Sequence, residues 1–268
     1  YAIVGGLVGS EMCIRDRDAI YPSDARVTNE CEELIKNGHE IYLFCLSYQK
    51  NYIKSEIINN IKVRRYYCSS LIYKLSALAN DFPFYSISMK SKIKDFILKN
   101  SIEKVHIHDI QIAKAAVGVC RKYNLKYILD LHENRHEIMK FYKHVNSFFG
   151  KVLISVKRWK KAEEKYVSKA EKVIVVTNQA KRDIIERCKI SNDNVVVYPN
   201  TVRKSFYQNK DYDQQLKKKY SKNYVLLYVG NTSERRGLDT VLDSMTSLEK
   251  EVPEIKLIII GKSSYDHK

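Results

Sequence analysis

NYVLLYVGNTSERRGLDTVLDSM, Asn223 to Met245, is the stretch on which the reading turns. Val225 to Val229 is an apolar run of strand length, rich in β-branched and aromatic residues, and Gly230 stops it. A polar loop, Asn231 to Arg236, carries adjacent arginines at 235 and 236. Leu238, Val241, Leu242, Met245 and Leu248 then recur at helical spacing, so a helix begins near Gly237. This order of strand, glycine, basic loop and helix can hold a phosphate. Backbone N–H groups at a helix start point outward and the dipole favours an anion there. Arg236, on the first turn, can add a forked pair of charge-assisted hydrogen bonds. An ordinary strand-to-helix turn with solvated arginines meets the same spacing equally well.

Working back from that stretch, strands and helices alternate. Asn194 to Tyr198 and Lys172 to Thr177 read as strands around a helix from Gln179 to Cys188. Lys126 to Leu131, Glu103 to His108, Ile61 to Tyr67 and Ile41 to Leu46 are further strands, with helices over Ile112 to Tyr123, Ser88 to Lys99 and Leu71 to Asn80. Ser23 or Asp24 caps a helix whose apolar side is Val27, Cys31, Leu34 and Ile35, and Gly38 lies just past its end. Downstream, Lys256 to Ile260 gives one more strand, then Gly261. The alternation predicts a parallel, doubly wound sheet of the Rossmann-like kind, in which ligands bind beyond the carboxyl ends of the strands. His108-Asp109 and His132-Glu133-Asn134 are polar clusters standing directly at such ends. Asp109 reads almost as well as a helix cap. His106 lies mid-strand and packs in the sheet. It shares a face with His108, but the spacing shows no further ligand set, so no metal is expected.

The 268 residues allow one large domain or two modest ones, and 44% hydrophobic content allows a sizeable core. A net charge of +16 suits nucleic acid, an anionic membrane surface or phosphorylated substrates without choosing among them. The six cysteines are scattered through apolar runs with no C-x-x-C pair, and read as reduced core residues rather than disulfides or zinc ligands. No apolar run reaches the ~20 residues of a membrane-spanning helix. Within residues 135 to 170, Val152, Val156, Trp159, Ala162, Tyr166 and Ala170 form a stripe surrounded by lysines and Arg158. That is either a basic amphipathic surface for an anionic membrane or an outer helix packed on the sheet, and Glu163 and Glu164 tilt the balance to the second.

The Asn223 stretch resembles the opening of the donor domain in retaining glycosyltransferases of family 4, the glycosyl transferases group 1, whose pattern is roughly Y-V-G-R-x-x-x-x-K-G-h-d. Asn231 stands at the first basic position and Arg236 at the second. The run D-A-R-V-x-x-E-C-E-E-L-x-x-x-G-H-E-I from Asp24 resembles the first helix and second strand of the same family's acceptor domain. L-D-L-H-E-N resembles its D-x-H segment. Lys172 to Thr177 with its following helix, and Asn194 to Asn200, resemble the elements that close that domain, with Thr201 in place of the usual glycine. The likeness runs from about Ser23 to Gly261.

It implies a GT-B fold with one near-complete Rossmann-like acceptor domain, 18–202, a linker, 203–222, and the truncated start of a donor domain, 223–268. His132 would line the cleft as the catalytic residue, with Arg26, His108, Asp109, Glu133 and Asn134 on the acceptor side. A solvated first-turn arginine remains an equal reading of Arg26. Gly230, Asn231, Arg235, Arg236 and Gly237 would bind the donor diphosphate. The implied reaction moves a sugar from a nucleotide-diphospho-sugar, a substrate rather than a cofactor, to a glycan or lipid-linked hydroxyl with retention. The resemblance points to bacterial surface polysaccharide or glycolipid synthesis, a cytoplasmic place at the inner face of the membrane, and no metal.

Residues 1 to 17 stand apart. Val4 to Gly9 looks like a dinucleotide loop but has the wrong spacing for G-x-G-x-x-G. VGSEMCIRDR resembles a translated sequencing-adapter scar, so the segment is set aside as non-native and the chain is expected to be a fragment. Two other readings stay open: a basic module holding nucleic acid, which has charge but no recognition motif, and a nicotinamide-dependent oxidoreductase resting on Gly5, Gly6 and Gly9.

Overall fold

The computed structural model describes residues 10–14, 21–22, 24–202, 204–208, 212–233 and 236–261. Gly5, Gly6, Gly9, Ser23 and Arg235 lie outside them. The chain divides into two compact units, residues 1–200 and 201–268.

The first unit follows from its local signals. Asp24 caps α1 (Ala25–Lys36) by accepting from the N–H groups of Arg26 and Val27 at 2.9 and 3.1 Å. At the far end Gly38 takes a φ of 86°, and the N–H groups of Gly38 and His39 return to the carbonyls of Ile35 and Leu34. Eight strands form one sheet: β1 (Ser10–Ile14), β2 (Glu40–Ser47), β3 (Ser55–Ile58), β4 (Ile61–Tyr67), β5 (Lys104–His108), β6 (Lys126–Leu131), β7 (Lys172–Val175) and β8 (Val195–Val197). Their order is β3-β4-β2-β1-β5-β6-β7-β8, and only β3 runs antiparallel to its neighbour.

Helices α2 (Ser70–Lys74), α3 (Phe84–Lys99), α4 (Ile110–Lys122), α5 (Arg135–Met139), α6 (Lys143–Asn146), α7 (Phe148–Leu153), α8 (Val156–Val167) and α9 (Asn178–Cys188) complete the unit. The sheet is covered on both faces. Ile41, Leu43 and Cys45 of β2 pack with Val27, Cys31 and Leu34 of α1, whereas Phe44 and Leu46 join the larger core built with α3, α4 and α8. A strand buried on both sides needs a continuous apolar run, which is what Ile41 to Leu46 supplies.

The structure adds to or alters the sequence reading at four places. Ser10–Ile14, in the segment left out of the fold reading, takes the place of a central strand, paired with β2 on one side and β5 on the other, whatever its origin. Backbone ladders accept almost any extended segment, which is why composition did not reveal it. The hairpin strand β3 went unread because it has only four residues, although Asn59-Asn60, at φ 50° and 64°, is a recognisable tight turn. The helix expected over Leu71 to Asn80 breaks into α2 and a 3₁₀ turn at Leu75–Leu78, and α3 starts earlier than Ser88, at Phe84 behind Pro83. Finally, Trp159 is buried at 1% exposure, with Tyr166 beside it in the core. The stripe on α8 therefore packs on the sheet and is not a free membrane face. Truncating a buried Trp of this kind costs about 3–5 kcal/mol.

In the second unit, β9 (Tyr224–Val229) and β10 (Ile255–Ile260) pair in parallel, with α12 (Leu238–Glu251) between them in sequence. α10 (Lys204–Gln208) and α11 (Gln214–Lys219) precede them, and Lys217 to Lys219 form the last turn of α11, behind an Asp213 cap. Little is buried. Ile255 is, while Leu227, Val229 and Ile260 are 60%, 67% and 55% exposed. The two strands end against each other at glycines: Gly230 N–H donates to Ile260 O at 2.9 Å, and a Cβ on Gly261 would lie 1.8 Å from Gly230 O.

Candidate active site

In parallel register His108, the last residue of β5, stands beside Asp130 of β6. His106 and His132 follow at alternate positions, so all four rise on one face at the carboxyl ends, next to the switch point between β1 and β5. α1 lies over that face and contributes Arg26 and Glu30.

Asp130, fully buried, is the hub. Arg26 grips it with two donors, Nε to Oδ2 at 2.9 Å and Nη2 to Oδ1 at 2.8 Å. His132 Nε2 lies 2.8 Å and His108 Nδ1 3.2 Å from Oδ2. An ionised carboxylate only accepts, so both ring nitrogens carry hydrogen towards it. The remaining nitrogen of Arg26, Nη1, donates to Tyr198 O at 2.7 Å and Asn200 Oδ1 at 3.0 Å, tying the end of the first unit to the hub. Of the two readings of Arg26, the solvated one is excluded: its side chain is 7% exposed.

The electrostatics follow from burial and pairing. Burial pushes the Asp130 carboxyl up, yet hydrogen bonds from His108, His132 and Arg26 outweigh it and hold the group well below the usual carboxylate range. Burial lowers His132, but Asp130 more than reverses this and raises its pKa. His108 is lowered by burial that Asp130 only partly offsets. His106, stacked on His108 at 4.3 Å between centroids, is pushed well down by burial and by that neighbour. Burial and the Asp130 charge push Glu30 well up. The arrangement holds Asp130 towards its carboxylate, Glu30 towards its neutral acid, His106 and His108 towards neutral rings and His132 towards imidazolium, with the Arg26 guanidinium between the two acids.

Glu30, His106, His108 and Asp130 also bring one ligand atom each within 4.8 Å of one another, the further ligand set that H-x-H alone did not show. The guanidinium of Arg26, 3.1 Å from Glu30 and 2.9 Å from Asp130, already supplies a cation between the two carboxyls. A divalent ion among these ligand atoms would meet that positive charge at close range.

Asp109 is buried and holds a φ of 76° with ψ of 148°, a conformation that non-glycine residues rarely adopt. Its N–H continues the ladder to Asp130 O at 2.9 Å, while its side chain caps α4 only weakly, accepting from Ile110 at 3.3 Å. Capping alone does not account for it. Glu133 is held by Arg135 at 2.9 Å, and Arg135 also donates to Gln111 Oε1 at 2.9 Å. Asn134, exposed, opens α5 without a side-chain cap. Glu133 and Asn134 line a cavity of about 260 Å³ with Thr177, Gln179, Asp183 and Arg187, at the carboxyl ends of β6 and β7.

In the second unit, Gly230 leads to Asn231, whose Oδ1 accepts from Ser233 N–H at 2.7 Å and whose carbonyl accepts from the Tyr228 hydroxyl at 2.6 Å. Gly237, at φ 68°, precedes α12 with no side-chain cap, so the first N–H groups of that helix are left for another acceptor. Arg236 is exposed beside them, and its side chain has no ion-pair partner among the described residues.

A family description, glycosyltransferase family 4, matches residues 25–206, and a second, glycosyl transferases group 1, matches residues 209–268. The chain belongs to glycosyltransferase family 4. The phosphatidylinositol N-acetylglucosaminyltransferase GPI3 subunit of Saccharomyces cerevisiae (strain YJM789) is 21% identical over 250 residues, 91% of this chain and 51% of that protein. The chain thus spans about half the length of the curated relatives it matches. Its fold is similar to an E. coli trehalose-6-phosphate structure bound with UDP-2-fluoro glucose, at TM-score 0.68 and 13% identity over 95% of this chain and 65% of that one. Sucrose-phosphate synthase from Thermosynechococcus elongatus is similar at TM-score 0.66 and 14% identity, over 98% and 64%. These likenesses show the GT-B fold.

Within this family-4 chain, the structure gathers Arg26, His108, Asp109, His132, Glu133 and Asn134 at one end of one sheet. It places Gly230, Asn231, Arg236 and Gly237 on one turn of the other unit. What sequence reasoning missed is the hub. Asp130 sits between two leucines inside an apolar run and was passed over as strand; a charged residue at a strand's end, two before a histidine, was the available signal. Glu30, the first glutamate of the D-A-R-V-x-x-E run, and Asn200, at the end of the closing element, stood inside the resembling segments but were not singled out as site residues.

Proposed function

We propose that this family-4 chain transfers a sugar from a nucleotide-diphospho-sugar to a hydroxyl acceptor with retention at the anomeric carbon. The observation carrying the proposal is the Asp130–His132 pair at the carboxyl end of β6, with Arg26 holding Asp130 ionised. With Nε2–H directed to Asp130, His132 keeps Nδ1 for a substrate. A buried carboxylate both fixes the ring and favours its charged form, which donates to a sugar or acceptor hydroxyl as charge develops. The strained Asp109 and the 260 Å³ cavity beside Glu133 and Asn134 suit a polyhydroxyl acceptor.

The uncapped start of α12 and the exposed Arg236 would take the diphosphate, with Gly230, Asn231 and Arg235 around it. The UDP-2-fluoro glucose in the E. coli neighbour supports a nucleotide-sugar donor. The yeast relative's name supports a lipid-linked acceptor, in line with glycolipid or surface-polysaccharide synthesis by a cytoplasmic enzyme at the membrane's inner face. No helix of the described residues is long and apolar enough to cross a membrane. The Arg26 charge beside the buried cluster disfavours a second cation there, in line with chemistry that uses no resident metal. Residues 203–222 would link the acceptor and donor parts, and residues 1–17 would be foreign to the native enzyme.

Titration calorimetry with UDP-glucose and UDP-N-acetylglucosamine tests the proposal. Arg236→Ala should weaken donor binding by about tenfold, the scale of one charge-assisted contact of ~1.4 kcal/mol. His132→Ala should leave donor binding and abolish transfer. Donor affinity indifferent to Arg236 would overturn the assignment of the turn.

A further inference from the structure

The first unit has a second concavity, a basic one, at the opposite end of its strands. A cavity of about 600 Å³ opens between α3, α4 and the end of α8, at the start of β6. Lys126 begins β6 and Leu131 ends it, so the cavity lies about 17 Å along the strand from the His132 cluster. Six cations line it: Lys90, Lys114, Arg121, Lys126, Lys165 and Lys169. Lys126 is paired with Glu171 at 2.9 Å. Lys90, Arg121, Lys165 and Lys169 have no ion-pair partner among the described residues.

Cations on last helical turns answer the carbonyl ends of helices, which accounts for Arg121 on α4 and Lys165 on α8. It does not account for Lys90, in the middle of α3, or Lys114, in the middle of α4. Lys114 is half-buried, its Nζ donating to Ala79 O at 2.9 Å. Burial first, and then the like charge of Lys90, push its pKa down, with Lys165 adding to the repulsion. Such a cluster is held together against its own charge. Gly118 shapes it: a Cβ there would meet Lys90 Cε at 2.7 Å and Nζ at 3.1 Å, so the lysine stem lies directly on the glycine.

We infer that this concavity is an anion site for a phosphoryl-bearing ligand, either a phospholipid headgroup or a free polyphosphate, separate from sugar transfer. Two or more phosphoryl charges would neutralise cations that have no carboxylate of their own, and the volume admits a headgroup or an oligophosphate.

The test uses the full 268-residue chain carrying Arg236→Ala, so that a diphosphate seat at the donor turn does not supply the signal. Inorganic pyrophosphate is titrated calorimetrically, and vesicles of phosphatidylglycerol or of phosphatidylcholine alone are co-sedimented. Lys90→Gln with Lys165→Gln should lower affinity for pyrophosphate, for phosphatidylglycerol vesicles, or for both, by about tenfold or more. The control pair Lys217→Gln with Lys219→Gln on α11 should leave both unchanged. A loss confined to pyrophosphate assigns a free polyphosphate, and a loss confined to vesicles assigns a headgroup. Equal losses in the two lysine pairs, or no binding of either probe, would overturn the site.

Discussion

Asp130 accepts on one oxygen from Arg26, His108 and His132, and this crowding sets the pH behaviour of the site. His132 has a folded pKa above its ordinary value near 6.5, so its pairing stabilises the fold fully below that value. The contribution is lost as pH rises through the raised folded pKa. Urea midpoints should therefore separate wild type from His132→Gln at about pH 6, by on the order of 1–3 kcal/mol for a hydrogen bond to a charged group. The gap should close as pH rises; one that widens with pH contradicts the pairing. Asp109 gives a second residue-scale prediction. Glycine relieves a backbone conformation costing roughly 1–3 kcal/mol, against roughly 0.5–1 kcal/mol of added chain entropy. Asp109→Gly should thus match or exceed wild-type stability by about 1 kcal/mol in urea denaturation while losing transfer activity. A destabilised, fully active variant would mark Asp109 as a cap and nothing more.

At the scale of elements, the site depends on where strands stop. β5 and β6 end one register step apart, which sets His108 beside Asp130, and the glycine pair 230 and 261 ends β9 and β10 in the same way. Gly261→Ala forces a methyl into Gly230 O, so the turn carrying Asn231 and Arg236 must shift. Donor binding should fall at least tenfold, with little change in the melting transition for which residues 1–200 made alone are the reference. Retained affinity would show that the turn tolerates the shift. Elements with strong period signals were legible in the chain: β6 matches its sequence reading residue for residue, and α1 with its Asp24 cap and Gly38 stop follows local rules. Those that depend on partners were not. Ser10–Ile14 is held as a strand by its pairing with β2 and β5, and α2 gives way to a 3₁₀ turn at Leu75–Leu78.

For the whole molecule, the two units differ in how much they bury. The first holds two clusters on opposite faces of an eight-stranded sheet, while the second buries Ile255 and leaves Leu227, Val229 and Ile260 largely in solvent. Two strands and a helix lack a second layer to close on. Residues 1–200 made alone should melt cooperatively by circular dichroism, and residues 201–268 alone should show no cooperative transition. A sharp melt of the second piece would show a core that these exposures do not reveal. The net charge of +16 gathers partly in the Lys90–Lys165 concavity, which composition alone could not place.

By itself the sequence determined the alternation of strands and helices, the parallel sheet, the family, and which polar residues stand at strand ends, because these depend on local periodicity and short-range capping. Tertiary structure decided that Asp130 is the hub, that Arg26 is buried in it rather than solvated, that Trp159 faces the core, and that burial pushes His106 and His108 below the ordinary imidazole range. Each of those depends on which distant side chain removes water from a charge or supplies its counter-charge, and no spacing along a chain records that.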